Sequence, residues 1–518
     1  MARKTTVSNP SLSQEQCEKL RWWVLAIAGL LLLSVAYVVW RLNIDHAERF
    51  DDPEMQFKYG STGGDRNFGI PVAVWQALPL LFKDKLPKGR ENEGWAAFGF
   101  IVEDRAKNKE IPRDGRIAGT SVRNYQGIER IFLNCGGCHI GSVRASADSE
   151  PQIISGMPSN TVDLEGFQEF LIAAALDERF TPEHILAQIK YSNIELDWFN
   201  WLALRFVGIY QIRERILTIR NRFRFTKYEP CFGPGRFDTF SPAKALLNWP
   251  LDDLDPKERI GVVDFPSIWL QGKKKGMQLH WDGNNTIVEE RNRSAAFGTG
   301  ATPPTLDRES ILRIENWLRD EPPPLMENLL GITLDKAKVE NGKKIYAAVC
   351  AYCHGVSGRD FKPSKDLVGQ VTPIDEIGTD RFRFDNYTYE LSIAQNQLYA
   401  ENPEERFQHF RKTKGYANMP LDGLWLRAPL LHNGSVPTLR DLLNPKKLRP
   451  TVFYRGCDIY NAVDVGFRSS GPDEDCKYPF RFDTLQDGNG NGGHEGEKYG
   501  TTLLDEQKND LIEYLKTF

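Results

Sequence analysis

The sequence predicts a mainly α-helical protein of two domains with long loops and insertions, preceded by one N-terminal transmembrane helix. Three observations predict it. Residues 22–40 form an uncharged apolar run, amphipathic segments of helical period flank two short cysteine-histidine motifs, and neither half carries a long array of alternating strands. At 518 residues the chain has room for two or three self-sufficient cores. A net charge of -4 excludes a general nucleic-acid binder, and the cluster Lys273, Lys274 and Lys275 reads as a solvated turn.

The apolar run is WWVLAIAGLLLLSVAYVVW. At about 1.5 Å per helical residue it nearly matches a hydrocarbon core of about 30 Å. Trp22, Trp23, Tyr37 and Trp40 sit near its ends, where amphipathic rings favour the headgroup level. Arg3, Lys4, Lys19 and Arg21 precede it, whereas Asp45, Glu48, Asp51, Asp52 and Glu54 follow, so residues 1–21 read as a cytoplasmic tail and the bulk of the chain as periplasmic. The alternative is a cleaved signal peptide, with Ser34-Val35-Ala36 resembling a cleavage site. The apolar run continues past that point through Trp40, which favours an uncleaved, single-pass inner-membrane anchor over residues 22–40.

Cys135-Gly136-Gly137-Cys138-His139 and Cys350-Ala351-Tyr352-Cys353-His354 both read C-x-x-C-H, the attachment signature of haem c. Two thiols one turn apart bond the two vinyl groups, and the next residue's imidazole then meets the iron. By chance a chain of this composition would show about 0.002 such motifs, and this one has two. A zinc site would need a second Cys or His pair nearby, and a redox dithiol gives no reason for the histidine. Haem c attachment requires export, in agreement with the anchor. Of the other cysteines, Cys457 and Cys476 suit a disulfide, Cys17 falls on the cytoplasmic side, and Cys231 reads as a small buried hydrophobe.

Around the second motif the periodicity is that of a small cytochrome c domain. Residues 335–349 place Val339, Gly342, Ile345, Tyr346 and Val349 on one helical face, and residues 503–518 do the same with Leu504, Leu511, Ile512 and Leu515. Gly342 would let these helices cross closely, with Tyr346 or Tyr514 beside it. Before the first motif, residues 122–132 are expected to form a helix, and an amphipathic segment follows at 164–176. The proline cluster at 321–325 (EPPPL) marks the expected boundary between an N-terminal haem c domain with a large insertion, 42–324, and a C-terminal cytochrome c domain, 325–518.

The stretch DGNGNGGHEGEKYG at 487–500 half resembles a calcium loop through Asp487, Asn489, Asn491 and Gly492. Its twelfth position is Lys498, a cation where the ion needs a carboxylate, so His494 requires another account.

With these residues in view, the chain resembles the di-haem cytochrome c peroxidase superfamily, and within it the rubber-oxygenase-like branch of di-haem c-type cytochromes. The resemblance is carried by YGSTGG from residue 59, GIPVAVWQALP from 69, LNCGGCHIGSVR from 133, LHWDGNN from 279, ERNRSAAFGTGATPP from 290, APLLHNGSVPTL from 428 and GNGNGGHEGEKYG from 488. It covers nearly all of the chain after the anchor. It implies two covalently bound haem c groups: a C-terminal one, passing electrons, and an N-terminal one at which substrate reacts, with Trp281 between them. His139 and His354 would be proximal iron ligands. Where the peroxidases carry a proton-handling glutamine and acid, this chain has Arg291 and Ala301; Glu289 and Glu290 lie close enough to substitute. Phe297 matches the apolar wall of the oxygenase-like relatives. The peroxidases' distal methionine is replaced by Lys446, and His494 matches the histidine that the oxygenase-like branch supplies instead. Some relatives hold Ca2+ between the domains.

The remaining histidines carry plainer expectations. His46 lies beside the membrane, His184 on an exposed helix face, and His409 in a charged, solvated helix, while His432 would donate near a haem propionate. Met157 has two readings, approach to the first haem or core packing, and core packing is favoured. The expected function is a membrane-anchored periplasmic haem oxidoreductase acting on peroxide, or on O2 with an organic compound, fed by a small cytochrome or cupredoxin. The alternative is a non-catalytic electron relay.

Overall fold

In the computed structural model the described residues are 13–64, 69–112, 116–361, 367–472 and 474–518, so Arg3 and Lys4, which bear on the expected topology, lie outside them. Helix α1 (Gln14–Leu42) opens with a capping box in which Ser13 and Gln16 satisfy each other's backbone N–H. It is long and apolar enough to cross a membrane, as an anchor or a signal sequence is, and none of its residues is buried.

Beyond α1 the chain builds a four-stranded antiparallel sheet from β1 (Asp45–Ala47), β2 (Ile70–Pro71), β3 (Thr120–Tyr125) and β4 (Ile128–Leu133), ordered β1-β3-β4-β2. The helix expected at 122–132 is therefore a hairpin. Tyr125 pairs with Ile128 across a two-residue loop, and Gln126 and Gly127 have φ of 56° and 73°. Positive φ at both central residues is the turn whose twist matches paired strands.

The first motif follows β4 as the short helix α2 (Gly136–His139). Helix α3 (Leu164–Leu176) forms as expected, capped by Asp163, whose carboxylate accepts from the Gly166 N–H at 2.9 Å. Its face of Leu164, Phe167, Phe170, Ala174 and Ala175 packs into the first core, against Trp95 and the Trp75 ring stacked 4.0 Å from it. Helix α4 (Trp198–Ala203), a π-helical turn (Leu204–Gly208) and α5 (Ile209–Arg222) close that core from one side through Leu204, Ile209, Ile212 and Ile216. Helices α6 (Val288–Gly298) and α7 (Arg308–Asp320) precede the proline cluster.

In the C-terminal half, α8 (Lys336–Val349) runs into the second motif's short helix α9 (Ala351–His354) and crosses α10 (Asp505–Leu515). A Cβ on Gly342 would sit 2.0 Å from the Asp510 carbonyl oxygen, so only glycine permits this crossing. Tyr346 lies beside it, 5.4 Å from Tyr514. The second core is shared between the halves: Val143, Ile154, Met157 and Trp269 pack with Tyr346, Trp425 and Leu511. The ion pairs Arg144–Asp458 and Arg455–Asp264, both 2.6 Å, also bind the halves together. Within EPPPL, Pro323 is buried and the Pro324 carbonyl accepts from Trp425 Nε1 at 3.1 Å, so the segment is a packed strap.

Cys457 and Cys476 form the expected disulfide. Two expectations are corrected. Cys231 is exposed, because its loop runs over the surface beside the buried Phe232, and Lys274 is buried against Asp422 at 2.9 Å.

Candidate functional site

The C-terminal motif opens into a cavity of about 1260 Å3, its open mouth included, lined by Cys350, Cys353, His354, Trp281, His494 and leucines of both flanking segments. The Nδ1 of His354 lies 2.8 Å from the Met419 carbonyl, which fixes the ring and leaves Nε2 for a ligand. The ring of His494 stands across from it, centroid to centroid 6.4 Å, at an interplanar angle of 43°. Two imidazoles bound trans to one metal ion at about 2.0 Å have centroids about 6.3 Å apart, so this pair fits both faces of one haem iron. Buried polar atoms without partners surround the same cavity: Tyr499 Oη, Thr379 Oγ1 and Arg427 Nε. They suit a bound group with polar edges. Burial, then the neighbouring His354 and Arg449, pushes His494 down to about 3, and burial lowers His354, so both rings are neutral donors at physiological pH.

The glycine-rich loop holds His494 in a left-handed conformation, φ 52°, with its N–H donating to the Ile377 carbonyl at 2.8 Å. Such a conformation is uncommon for a side-chain-bearing residue and marks functional positions. A Cβ on Gly493 would lie 2.3 Å from the Thr379 nitrogen, so the glycine serves the backbone's approach to residues 378–379. Arg449 Nη1 donates to the Asn491 and Gly493 carbonyls at 2.6 and 2.9 Å, and Asn489 Oδ1 accepts from Arg236 at 2.8 Å. The loop's oxygens thus face guanidinium groups, which is incompatible with calcium there. Among the described residues no cluster of three or more His, Cys, Asp or Glu side chains forms a metal site.

At the N-terminal motif, Asn134 fixes the approach: its Oδ1 accepts from the Gly136 N–H at 2.9 Å and its Nδ2 donates to the Gly60 carbonyl at 3.0 Å. Burial raises Cys135 to about 11 and both Cys138 and Cys350 to about 12. A redox dithiol lowers its thiol pKa, so the direction argues against that chemistry. His139 is pushed down to about 3 by burial and by the nearby Arg291, opposed by the Pro266 carbonyl; its ring neighbour is Phe265 at 6.4 Å.

Arg291, on α6, is buried and has no hydrogen-bond or ion-pair partner among the described residues; burial alone lowers it to about 10. His280 belongs to the same group: its Nε2 is buried and unpartnered, its φ is 62°, and burial and Arg291 hold its pKa well below the ordinary value. Nothing in its spacing marked His280 beforehand; its backbone conformation does. Phe297 lies 4.7 Å from Tyr399 and 5.8 Å from Phe407, which stacks edgewise on Phe410, itself 6.3 Å from His280. Glu290 is fully engaged, accepting from Asn285 Nδ2 and the Gln408 and His409 N–H groups, with His409 Nδ1 at 2.9 Å. His409 is exposed, as expected, but not helical: residues 406–410 are irregular chain tied to Glu290.

Trp281 joins the two regions. It lines the C-terminal cavity, and its Nε1 donates to the Asp264 carbonyl at 2.8 Å. His432 is buried, stacks on Tyr416 at 4.1 Å and shares a 3.0 Å hydrogen bond with its hydroxyl. His184 is exposed on its helix, and Met157 is fully buried in the second core.

Comparison with known proteins agrees with the C-terminal geometry. Residues 339–421 match the cytochrome c family, and residues 415–454 match the family described as RoxA-like, cytochrome c-like. An uncharacterized protein y4iJ of Sinorhizobium fredii is 36% identical over 334 residues, covering 49% of this chain and 54% of the relative. A second, y4iM of the same organism, is 29% identical over 300 residues, covering 49% of this chain and 64% of the relative. The chain therefore spans between about half and just under two thirds of the curated relatives it matches. Residues 339–454 of the C-terminal half are thus similar to cytochrome c-like domains, in part of RoxA-like type, and such domains imply covalently bound haem c.

Proposed function

We propose that this protein is a membrane-anchored, periplasmic di-haem oxidoreductase in which the C-terminal site carries electrons and the N-terminal site reacts with peroxide or O2. One contrast carries the proposal: His354 faces the imidazole of His494, whereas His139 has the carbon ring of Phe265 as its neighbour at the same 6.4 Å. The first pair would offer two imidazole donors to one haem iron; a phenyl ring offers none. Haem c supplies one-electron chemistry and, at an open position, binding of a small oxidant.

The chain's own groups then divide the work. Cys135 and Cys138, with Cys350 and Cys353, would attach the two groups, and His139, His354 and His494 would be their ligands. His280 offers an unpartnered buried nitrogen, and Arg291 a buried guanidinium, to an oxygen-bearing reactant, and a buried cation is costly enough to need such a partner. Phe297, Phe407 and Phe410 exclude water beside them. Glu290, bound by several donors, braces the 408–410 segment and leaves proton handling to the His280 side. Trp281 positions the path between sites, and a small cytochrome or cupredoxin supplies electrons.

Ferrous protein titrated with CO tests the reading. One haem of two should bind CO while the other stays low-spin; two inert, six-coordinate haems in every redox state would replace the enzyme by an electron relay.

A further inference from the structure

Helices α4 and α5, with the π turn between them, form one continuous helical segment from 198 to 222 whose apolar residues lie on both sides. The inward face enters the first core. The outward face shows Trp198, Trp201, Leu202, Phe206, Val207 and Tyr210 to solvent, each at least 40% exposed and Phe206 64%. Soluble proteins rarely leave so contiguous an aromatic and aliphatic patch uncovered. Exposed Arg220 and Arg222 follow on the same segment.

The patch adjoins the end of α1 nearest the haem-bearing chain. Trp198 lies 5.4 Å from Tyr37, Arg41 pairs with Asp197 at 3.0 Å, and the Arg41 guanidinium sits 5.0 Å over Phe199. With α1 spanning a bilayer, Tyr37, Trp40 and Arg41 mark the headgroup level on the exit side. Trp198 stands at that level, and the exposed residues continue from it.

We infer that segment 198–222 is an interfacial membrane helix: its outward face is seated in the headgroup and upper acyl region of the bilayer that α1 crosses, with its arginines toward anionic headgroups. The composition fits, since interfacial helices pair Trp, Phe and Leu on one face with arginine beside it. The π turn contributes by shifting register between α4 and α5, so that Leu204 and Ile209 stay in the core while Phe206 and Val207 stay outward. The inference rests on α1 spanning, not on the chemistry of the haem sites.

The test uses the full chain, α1 retained, in vesicles of phosphatidylethanolamine and phosphatidylglycerol. A photo-reactive benzoylphenylalanine replaces Phe206, Tyr210 or, as a control, Tyr389, which is 68% exposed in the C-terminal half. Lipid adducts at 206 and 210, at least tenfold over those at 389, are expected by mass spectrometry. Equal yields at the three positions, or adducts at 206 to a second copy of the chain or another protein in place of lipid, would overturn the assignment.

Discussion

The indole N–H of Trp281 donates to the backbone carbonyl of Asp264 at 2.8 Å, and the next residue, Phe265, is the ring neighbour of His139 at 6.4 Å. Two consecutive residues, Asp264 and Phe265, therefore touch Trp281 on one side and His139 on the other. Trp281→Phe keeps the ring in the cavity wall but orphans the Asp264 carbonyl, at a cost of about 1–2 kcal/mol. Both haem spectra should survive. Stopped-flow reduction should show the C-terminal haem reduced at the normal rate and the N-terminal haem at least tenfold more slowly; equal rates would remove Trp281 from the path.

His494 faces His354 at ligand spacing, and its left-handed backbone is held by neighbours on both sides. His494→Gly should convert about half of the low-spin haem signal, that of one haem of two, to high spin, with free imidazole restoring it. His494→Met should keep that haem low-spin while raising its reduction potential, since Met/His ligation favours the reduced state. An unchanged electron paramagnetic resonance spectrum for both variants would place the ligand elsewhere.

How much of this was legible beforehand depended on how local the determining physics was. Helices α3, α8 and α10 and the disulfide follow from spacing within about twenty residues and form as the sequence predicts. The hairpin at 120–133 was misread as a helix because its turn depends on positive φ at Gln126, a residue that gives no such signal. His409 and Glu290 are 119 positions apart, so neither's partner could be read from its own neighbourhood. His280 stands out only once the fold leaves its buried Nε2 without a partner, and Arg291 only once the fold buries its guanidinium.

Glu165 gives the fold a pH dependence. Burial, partly offset by the Phe232 N–H donating at 2.6 Å, raises its carboxyl from 4.5 to about 7. Because the folded state favours the protonated acid, folding takes up a proton between those values. Glu165's contribution is therefore most favourable below pH 4.5, declines as pH rises to 7, and is flat above it. That rise corresponds to about 3 kcal/mol, reduced to about 1–2 because the side chain is partly exposed. Glu165→Gln keeps the acceptor and should raise the melting temperature by a few degrees at pH 8 while leaving it unchanged near pH 4. A uniform change across pH would mean that packing, not titration, dominates.

Gly342 sets the crossing of α8 and α10, and that crossing shapes the C-terminal cavity through Val349 and Leu515 in its wall. In Gly342→Ala the new methyl would meet the Asp510 carbonyl at 2.0 Å and the Tyr514 Cβ at 2.8 Å. Both belong to α10, and the first is backbone, so relief requires the helices to separate. Overpacking of this kind costs about 3 kcal/mol or more, well above the gain of under 1 kcal/mol from alanine's better helix propensity. The expected result is a protein that retains the N-terminal haem while its C-terminal haem content, measured by pyridine haemochrome and peptide mass, falls by more than half. Full occupancy with wild-type melting would show that the crossing tolerates a side chain and that the cavity does not depend on it.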